Sequence, residues 1–190
     1  FQDSAVDEIV LVVGKGEEKF CRKEIVDKYG ISKVKAIVEG GKERYHSVFE
    51  GLKQTSDADY VLIHDGARPF VNQDIIRRCM QEVQKYQACV VGMPVKDTIK
   101  IADEEGYAKQ TPDRKNVWMI QTPQTFSYAL IYEAYEEMLK TEDTAITDDA
   151  MVLERIKGKK SKLIEGSYRN IKITTPEDLL IANVYLQHPE

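Results

Sequence analysis

Four short apolar runs, Glu8–Val13, Lys33–Val38, Tyr60–Ile63 and Ala88–Val95, are rich in valine and isoleucine and are separated by stretches of helical spacing. Runs of this kind read as strands buried on both faces, because a half-exposed strand would alternate apolar with polar residues. Strand alternating with helix gives a mostly parallel sheet covered on both sides. Between the last two runs Asn72 is placed to cap a helix whose buried face is Ile76, Met80 and Val83.

Beyond Val95 the pattern changes. Asp97–Ala102, an Asp-Glu-Glu-Gly turn, Tyr107–Gln110 and Val117–Ile120 suggest a hairpin that leaves the sheet, a β-arm over about residues 97–118. Such an arm either packs on another subunit or is an ordinary edge hairpin, and the residues alone leave both open. Ser127 opens a helix carrying Ile131, Tyr135 and Met138, and Thr147 opens another through Val152 and Ile156. The last helix is framed by Thr175-Pro-Glu-Asp178: a cap, a proline in the first turn, and two acids. No repeat, low-complexity tract or linker divides the 190 residues, which read as one domain.

Charge and cysteine usage narrow the partners. Lys and Arg number 27 against 32 Asp and Glu, a formal charge of -5, so no broad basic field recommends the chain to nucleic acid or anionic lipid. Any polyanion must be met by local cations. Cys21, Cys79 and Cys89 are odd in number and widely spaced, which fits reduced thiols in a cytoplasm better than a disulfide framework or a zinc site. No run approaches the roughly 18 apolar residues of a membrane span. The start Phe1-Gln-Asp-Ser4 lacks the pattern of a signal peptide, and it is not an initiator methionine, as in a chain that begins partway through a longer one.

Chemistry is expected beyond the carboxyl ends of the strands, where loops and helix N-termini converge. The third run ends in His64-Asp-Gly-Ala-Arg-Pro69. Asp65 offers a hard carboxylate to a divalent cation or a ribose hydroxyl. Gly66 and Ala67 would let a ligand approach the backbone. Arg68 either meets phosphate or clamps a neighbouring carboxylate, and the plainer alternative is an Asp65–Arg68 pair bracing a turn. Glu39-Gly-Gly-Lys-Glu-Arg44 ends the second run and opens a helix, presenting N–H groups to an anion or a base edge. Val13-Gly-Lys-Gly-Glu-Glu-Lys19 imitates a phosphate loop without its spacing or its Lys-Ser/Thr ending, and reads as a turn. Thr98 follows the fourth run, Arg114 lies in the arm and Lys172 lies within Arg169–Ile173. Each also has a plain reading: a turn hydroxyl, a solvated arm charge, an outward strand lysine. Thr147 reads as a helix cap. His46, His64 and His188 have neither ligand spacing nor an adjacent nucleophile, which argues against hydrolase and zinc chemistry.

Taken in order, His64–Phe70, Pro94-Val-Lys-Asp-Thr98, Asp113-Arg114 followed by Trp118, Gln121-Thr-Pro-Gln124, Thr147-Asp148 and Asn170–Asp178 resemble successive motifs of the 2-C-methyl-D-erythritol 4-phosphate cytidylyltransferase family. The resemblance implies a Rossmann-like three-layer αβα nucleotidyltransferase fold with a mostly parallel sheet and a protruding β-arm. It implies transfer of the cytidylyl group of CTP to 2-C-methyl-D-erythritol 4-phosphate in non-mevalonate isoprenoid synthesis, a divalent cation such as Mg2+, and a homodimer joined through the arm. By motif, Asp65 would serve the ribose and the metal, and Gly41, Lys42 and Ser47 would surround the cytidine. Thr98, Arg114, Thr122, Thr147 and Lys172 would hold the sugar phosphate beside Gly66 and Ala67, with Arg114 and Thr122 reaching across from the partner's arm. Arg114, Lys172 and Asp65 would form the catalytic set.

The family also opens with a strand and a glycine-rich loop that cradle the triphosphate, and the expectation is that this segment lies ahead of Phe1, outside these 190 residues. The related ribitol-5-phosphate cytidylyltransferases share fold and reaction but more often carry Ser-Val where this chain has Gly66-Ala67. From a different class, a non-catalytic α/β dimerisation or nucleotide-binding module is the competing expectation.

Overall fold

The structure, a computed structural model, describes residues 1–141 and 145–188. Strands and helices alternate as the apolar runs require: β1 (Ile9–Val13), α1 (Glu18–Cys21, continuing as a π-helical stretch, Arg22–Asp27), β2 (Val34–Glu39), α2 (Arg44–Leu52), β3 (Tyr60–Ile63), α3 (Gln73–Tyr86) and β4 (Ala88–Pro94). A hairpin of β5 (Ile101–Ala102) and β6 (Ala108–Gln110) follows, then a 3-10 turn at Arg114–Asn116 and β7 (Trp118–Ser127). The chain ends with α4 (Tyr128–Met138), α5 (Asp149–Lys157), β8 (Lys162–Glu165) and α6 (Pro176–Gln187).

The main sheet has the order β3-β7-β4-β8, and β1 pairs with β2 as a separate parallel pair. Strands β3, β4 and β8 run in one direction, while β7 runs against them between β3 and β4. Val117–Ile120, expected in the arm, instead leads into this central antiparallel strand. The rest of β7 contains Gln121, Thr122, Gln124 and Thr125, polar residues that hide a strand from any count of apolar positions. All four are nevertheless buried. Gln121 donates to the Ser167 carbonyl at 2.7 Å and Gln124 donates to the Asp148 carboxylate at 3.0 Å, so their burial is compensated by partners far away in sequence.

Period-two alternation along the strands feeds two cores. On one face Val61, Ala88, Val90 and Phe126 meet Ile131, Ala134, Tyr135 and Met138 of α4, Val152 and Leu153 of α5, and Leu52 of α2. On the other, Cys89, Val91 and Ile164 meet Ile75, Cys79 and Val83 of α3, with Tyr60 and Leu62 beside them. Helices on both faces of the sheet make the three layers. The buried stripe of α3 follows the four-residue row Ile75, Cys79, Val83 together with Ile76. Met80, expected in that stripe, lies at its margin and is only partly buried.

Helix starts are set by local polar groups. Asn72 accepts the Ile75 N–H at 3.0 Å, and Thr175 with Asp178 closes a capping box ahead of α6. At α5 the cap is Asp148, whose carboxylate accepts the Met151 N–H at 2.8 Å. Thr147, expected to be the cap, sits one residue earlier and is exposed. The β5–β6 hairpin is exposed along its length, and Asp103 closes its turn by accepting the Glu105 and Tyr107 N–H groups at 3.1 and 2.9 Å. No described helix is long and apolar enough to cross a membrane.

Candidate active site at the strand ends

Three separate parts of the chain converge on Asp65 at the end of β3. Arg44, the first residue of α2, donates Nε–H to Asp65 Oδ1 at 3.1 Å, and Lys172 Nζ lies 3.0 Å from Oδ2. Arg68 Nε stands further off, 3.8 Å from Oδ2. The Asp65 side chain is 14 % exposed. Burial pushes its carboxyl pKa up, but the Arg44 charge and then the hydrogen bond and charge of Lys172 outweigh this and hold it below the usual carboxylate range. Lys172 is therefore no outward strand lysine. Its segment is irregular, and the Ile173 N–H ties it to the Ala67 carbonyl at 2.8 Å. Gly66 is exposed, and a Cβ on it would meet open space, so the backbone of this loop can be approached.

Arg68 braces the loop. Its Nη1 donates to the Asn170 carbonyl at 2.9 Å and its Nη2 to the Ile120 carbonyl at 3.4 Å. Thr122 departs from the expectation of an arm residue that touches substrate. It lies inside β7, is 4 % exposed, and its hydroxyl accepts the Asp65 N–H at 3.1 Å. That hydroxyl then donates to His64 Nδ1 at 3.0 Å, which leaves the imidazole proton on Nε2, donated to the Arg68 carbonyl at 3.0 Å. Burial lowers the His64 pKa and keeps the ring neutral. Thr122 thus shapes the strand end from behind.

Gly41, Lys42 and Ser47 line a second feature, a cavity of about 670 Å³ between the ends of β1 and β2. The Gly41 N–H donates to Ser47 Oγ at 3.1 Å. Glycine is required at 41 by close approach, since an added Cβ would lie 2.3 Å from the His46 Cβ; at 40 a Cβ would lie 2.6 Å from Ser47 Oγ and would push that hydroxyl aside. Gly14 and Lys15 line the same cavity. Their loop is the expected turn, closed by the Gly14 N–H on the Glu17 carboxylate at 3.1 Å. Its place beside Gly41 follows from the parallel pairing of Val13 with Glu39, which turn chemistry alone does not reveal.

Thr98, just after β4, is exposed, as are Thr147 and Arg114. Arg114 donates to the Lys96 carbonyl at 2.8 Å within the base of the arm. Among the described residues, no hydrogen bond or ion pair joins these three to Asp65 or Lys172. Nor do the described residues contain a cluster of three His, Cys, Asp or Glu groups ready for a metal. A single carboxylate such as Asp65 fits an ion that arrives on phosphates and water, the common mode for Mg2+, and not an all-protein cage.

Open α/β sheets take up nucleotides beyond the carboxyl ends of their strands. Here that edge carries a glycine-lined cavity, a carboxylate and several cations suited to phosphate, so fold and site define an α/β nucleotidyltransferase. Comparison with known proteins narrows the class. The sequence model of the family described as IspD, 2-C-methyl-D-erythritol 4-phosphate cytidylyltransferase, matches residues 1–188. A protein of that name from Alkaliphilus oremlandii is 52 % identical over 183 residues, covering 96 % of this chain and 77 % of its own. One from Lachnoclostridium phytofermentans is 46 % identical over 187 residues, covering 98 % and 80 %. The crystal structure of 4-diphosphocytidyl-2C-methyl-D-erythritol synthase from Anaerococcus prevotii superposes with a TM-score of 0.88 at 40 % identity, over 96 % of this chain and 80 % of that one. The 2-C-methyl-D-erythritol 4-phosphate cytidylyltransferase of Thermus thermophilus gives 0.77 at 32 %, over 98 % and 84 %. The chain belongs to the 2-C-methyl-D-erythritol 4-phosphate cytidylyltransferase family.

Proposed function

We propose that the chain transfers the cytidylyl group of CTP to 2-C-methyl-D-erythritol 4-phosphate, giving 4-diphosphocytidyl-2-C-methyl-D-erythritol and pyrophosphate for isoprenoid biosynthesis. Beyond family membership, the observation that carries this reading is the 3.0 Å pairing of Asp65 with Lys172. It joins a group suited to the nucleotide side to a cation suited to the acceptor phosphate, at one point beside an approachable backbone.

A phosphate monoester oxygen must reach the α-phosphorus in line with departing pyrophosphate, and two polyanions repel one another on the way. The work is therefore alignment and charge compensation. The acceptor phosphate is already ionised at neutral pH and needs no general base; His64, neutral and bonded through both nitrogens, is in keeping with that. Lys172 exchanges Asp65 for the acceptor phosphate, while Asp65 keeps Arg44 as its counter-charge. Gly41, Lys42 and Ser47 hold the cytidine at the cavity between the β1 and β2 ends. Gly66 and Ala67 receive the acceptor at the open backbone, Thr98 and Thr147 offer it hydroxyls, and Arg114 reaches it from the arm of a partner subunit. A divalent cation such as Mg2+, carried by the triphosphate and held by Asp65, would neutralise phosphate charge.

The exposed hairpin supports a homodimer, since it carries Ile101 and Tyr107 at 46 % and 70 % exposure. Free thiols at Cys21, Cys79 and Cys89 support a cytoplasmic setting. The test is steady-state pyrophosphate release with CTP and either 2-C-methyl-D-erythritol 4-phosphate or ribitol 5-phosphate. Preference for the first is expected. Preference for ribitol phosphate overturns the acceptor assignment, and CTP binding without transfer to either favours a non-catalytic nucleotide-binding module.

A further inference from the structure

Arg44 touches two carboxylates that lie on different elements. Its Nη1 and Nη2 each donate to an oxygen of Asp149 at 2.8 Å, a bidentate pair, while Nε donates to Asp65 at 3.1 Å. Asp149 lies in the first turn of α5, is 0 % exposed, and also accepts the Tyr135 hydroxyl at 2.6 Å. Tyr135 of α4 is itself fully buried; burial and then the Asp149 charge keep its phenol protonated as a donor. A charged cluster this deep is a poor way to gain stability, because packed apolar side chains serve as well or better. Arg44, 35 % exposed, carries the cluster toward the site, where it meets Asp65. A guanidinium is planar, so once two of its nitrogens are locked on Asp149 the direction of the Nε–H is set. Arg44 also follows Gly41 and Lys42 by a few residues, at the start of α2.

We propose that Arg44 is a positioning residue: locked by Asp149 and Tyr135, it orients the Asp65 carboxylate toward bound nucleotide and fixes it relative to the cytidine loop. This rests on the reading of Asp65 as a nucleotide-side group. Arg44 acts on the nucleotide through Asp65, not by touching it. When Lys172 turns to the acceptor, the bond from Arg44 is what keeps Asp65 in place.

Removing Arg44 outright would strand the buried Asp149 charge and risk unfolding, so the informative variant is Arg44→Lys. It keeps a cation for Asp149 but cannot span both carboxylates. CTP dissociation constants, with Mg2+ present, are measured by calorimetry for the wild type, Arg44→Lys, Asp65→Asn and the double variant. Arg44→Lys is expected to weaken CTP about fivefold or more on its own and less than about twofold in the Asp65→Asn background. Equal losses in both backgrounds, or no loss in the first, overturn the proposal, since a merely structural role would act in both alike. A second readout is hydrogen exchange at the Arg68 amide, which donates to the Asp65 carbonyl at 3.0 Å. Faster exchange in Arg44→Lys is expected, and unchanged exchange overturns the proposal. Failure of the function reading looks different: wild type that binds CTP without transferring cytidylyl sinks that reading while the dissociation constants still decide on Arg44. If wild type binds no CTP, the exchange rates decide it.

Discussion

Asp65 has a cation on each carboxylate oxygen, Arg44 on one and Lys172 on the other, and only the lysine can leave without stranding a buried charge. Asp65→Ala is therefore expected to abolish metal-dependent turnover, read as pyrophosphate release across a magnesium titration. Lys172→Ala is expected to raise the acceptor KM and lower kcat, by about 100-fold in kcat/KM, with the CTP dissociation constant little changed. An unchanged acceptor KM would remove Lys172 from the acceptor side. A third residue is held by space and not by charge. A Cβ at Gly166 would lie 2.4 Å from Gln121 Oε1 and 2.5 Å from Val91 Cγ1, and that Gln121 oxygen already accepts Asn170 Nδ2 at 3.3 Å. Gly166→Ala should cost about 1–3 kcal/mol of overpacking, measured by urea unfolding. Asp65 and Lys172 stand out in the sequence as separate candidates, because an acid and small residues at a strand end are unusual. Their meeting does not, since nothing in the spacing of residues 65 and 172 says that their segments touch.

At the scale of elements, local chemistry is readable and pairing is not. The caps at Asn72 and Thr175 lie within a few residues of the groups that they satisfy, and both were predictable from sequence. Asp178 accepts the Thr174 and Thr175 N–H groups at 2.9 and 2.8 Å, and these bonds hold its carboxyl below the usual range. The folded-state pKa is thus lower than the unfolded one. Its contribution to α6 is present above the ordinary aspartate pKa of about 3.9 and is lost as pH falls through the folded value. Hydrogen exchange in the first turn of α6 should accelerate in that acid window, and Asp178→Asn should flatten the effect. Helix α3 ends on Gln87 in the left-handed region, at φ 63°. Gln87→Gly relieves that strain and is expected to stabilise by about 0.5–1 kcal/mol in urea melts. Strand β7 is the counter-case. Its Gln and Thr residues carry no apolar signal, and hydrogen-bond partners on other elements make the burial of Gln121, Thr122 and Gln124 tolerable.

For the whole molecule, the exposed arm is the part whose removal should cost least to the fold and most to assembly. Replacing residues 101–110 by a short turn is expected to shift Tm by less than about 4 °C; on the proposal of an arm-joined dimer, sedimentation changes from dimer to monomer and turnover falls as Arg114 loses the proposed partner site. A large drop in Tm, or a dimer that persists, would sink the arm-mediated assembly. The sequence by itself determined the alternation of strands and helices, the two-sided covering of the sheet, the caps at Asn72 and Thr175 and the family motifs. These rest on periodicity and on groups a few residues apart. Tertiary structure alone decided that β7 runs antiparallel through the middle of the sheet, that Thr122 turns inward, and that Arg44 meets an aspartate 105 residues away. A buried polar side chain is costly until it finds a partner, and partners so distant in the chain are brought together by strand order and helix packing, which no local spacing encodes.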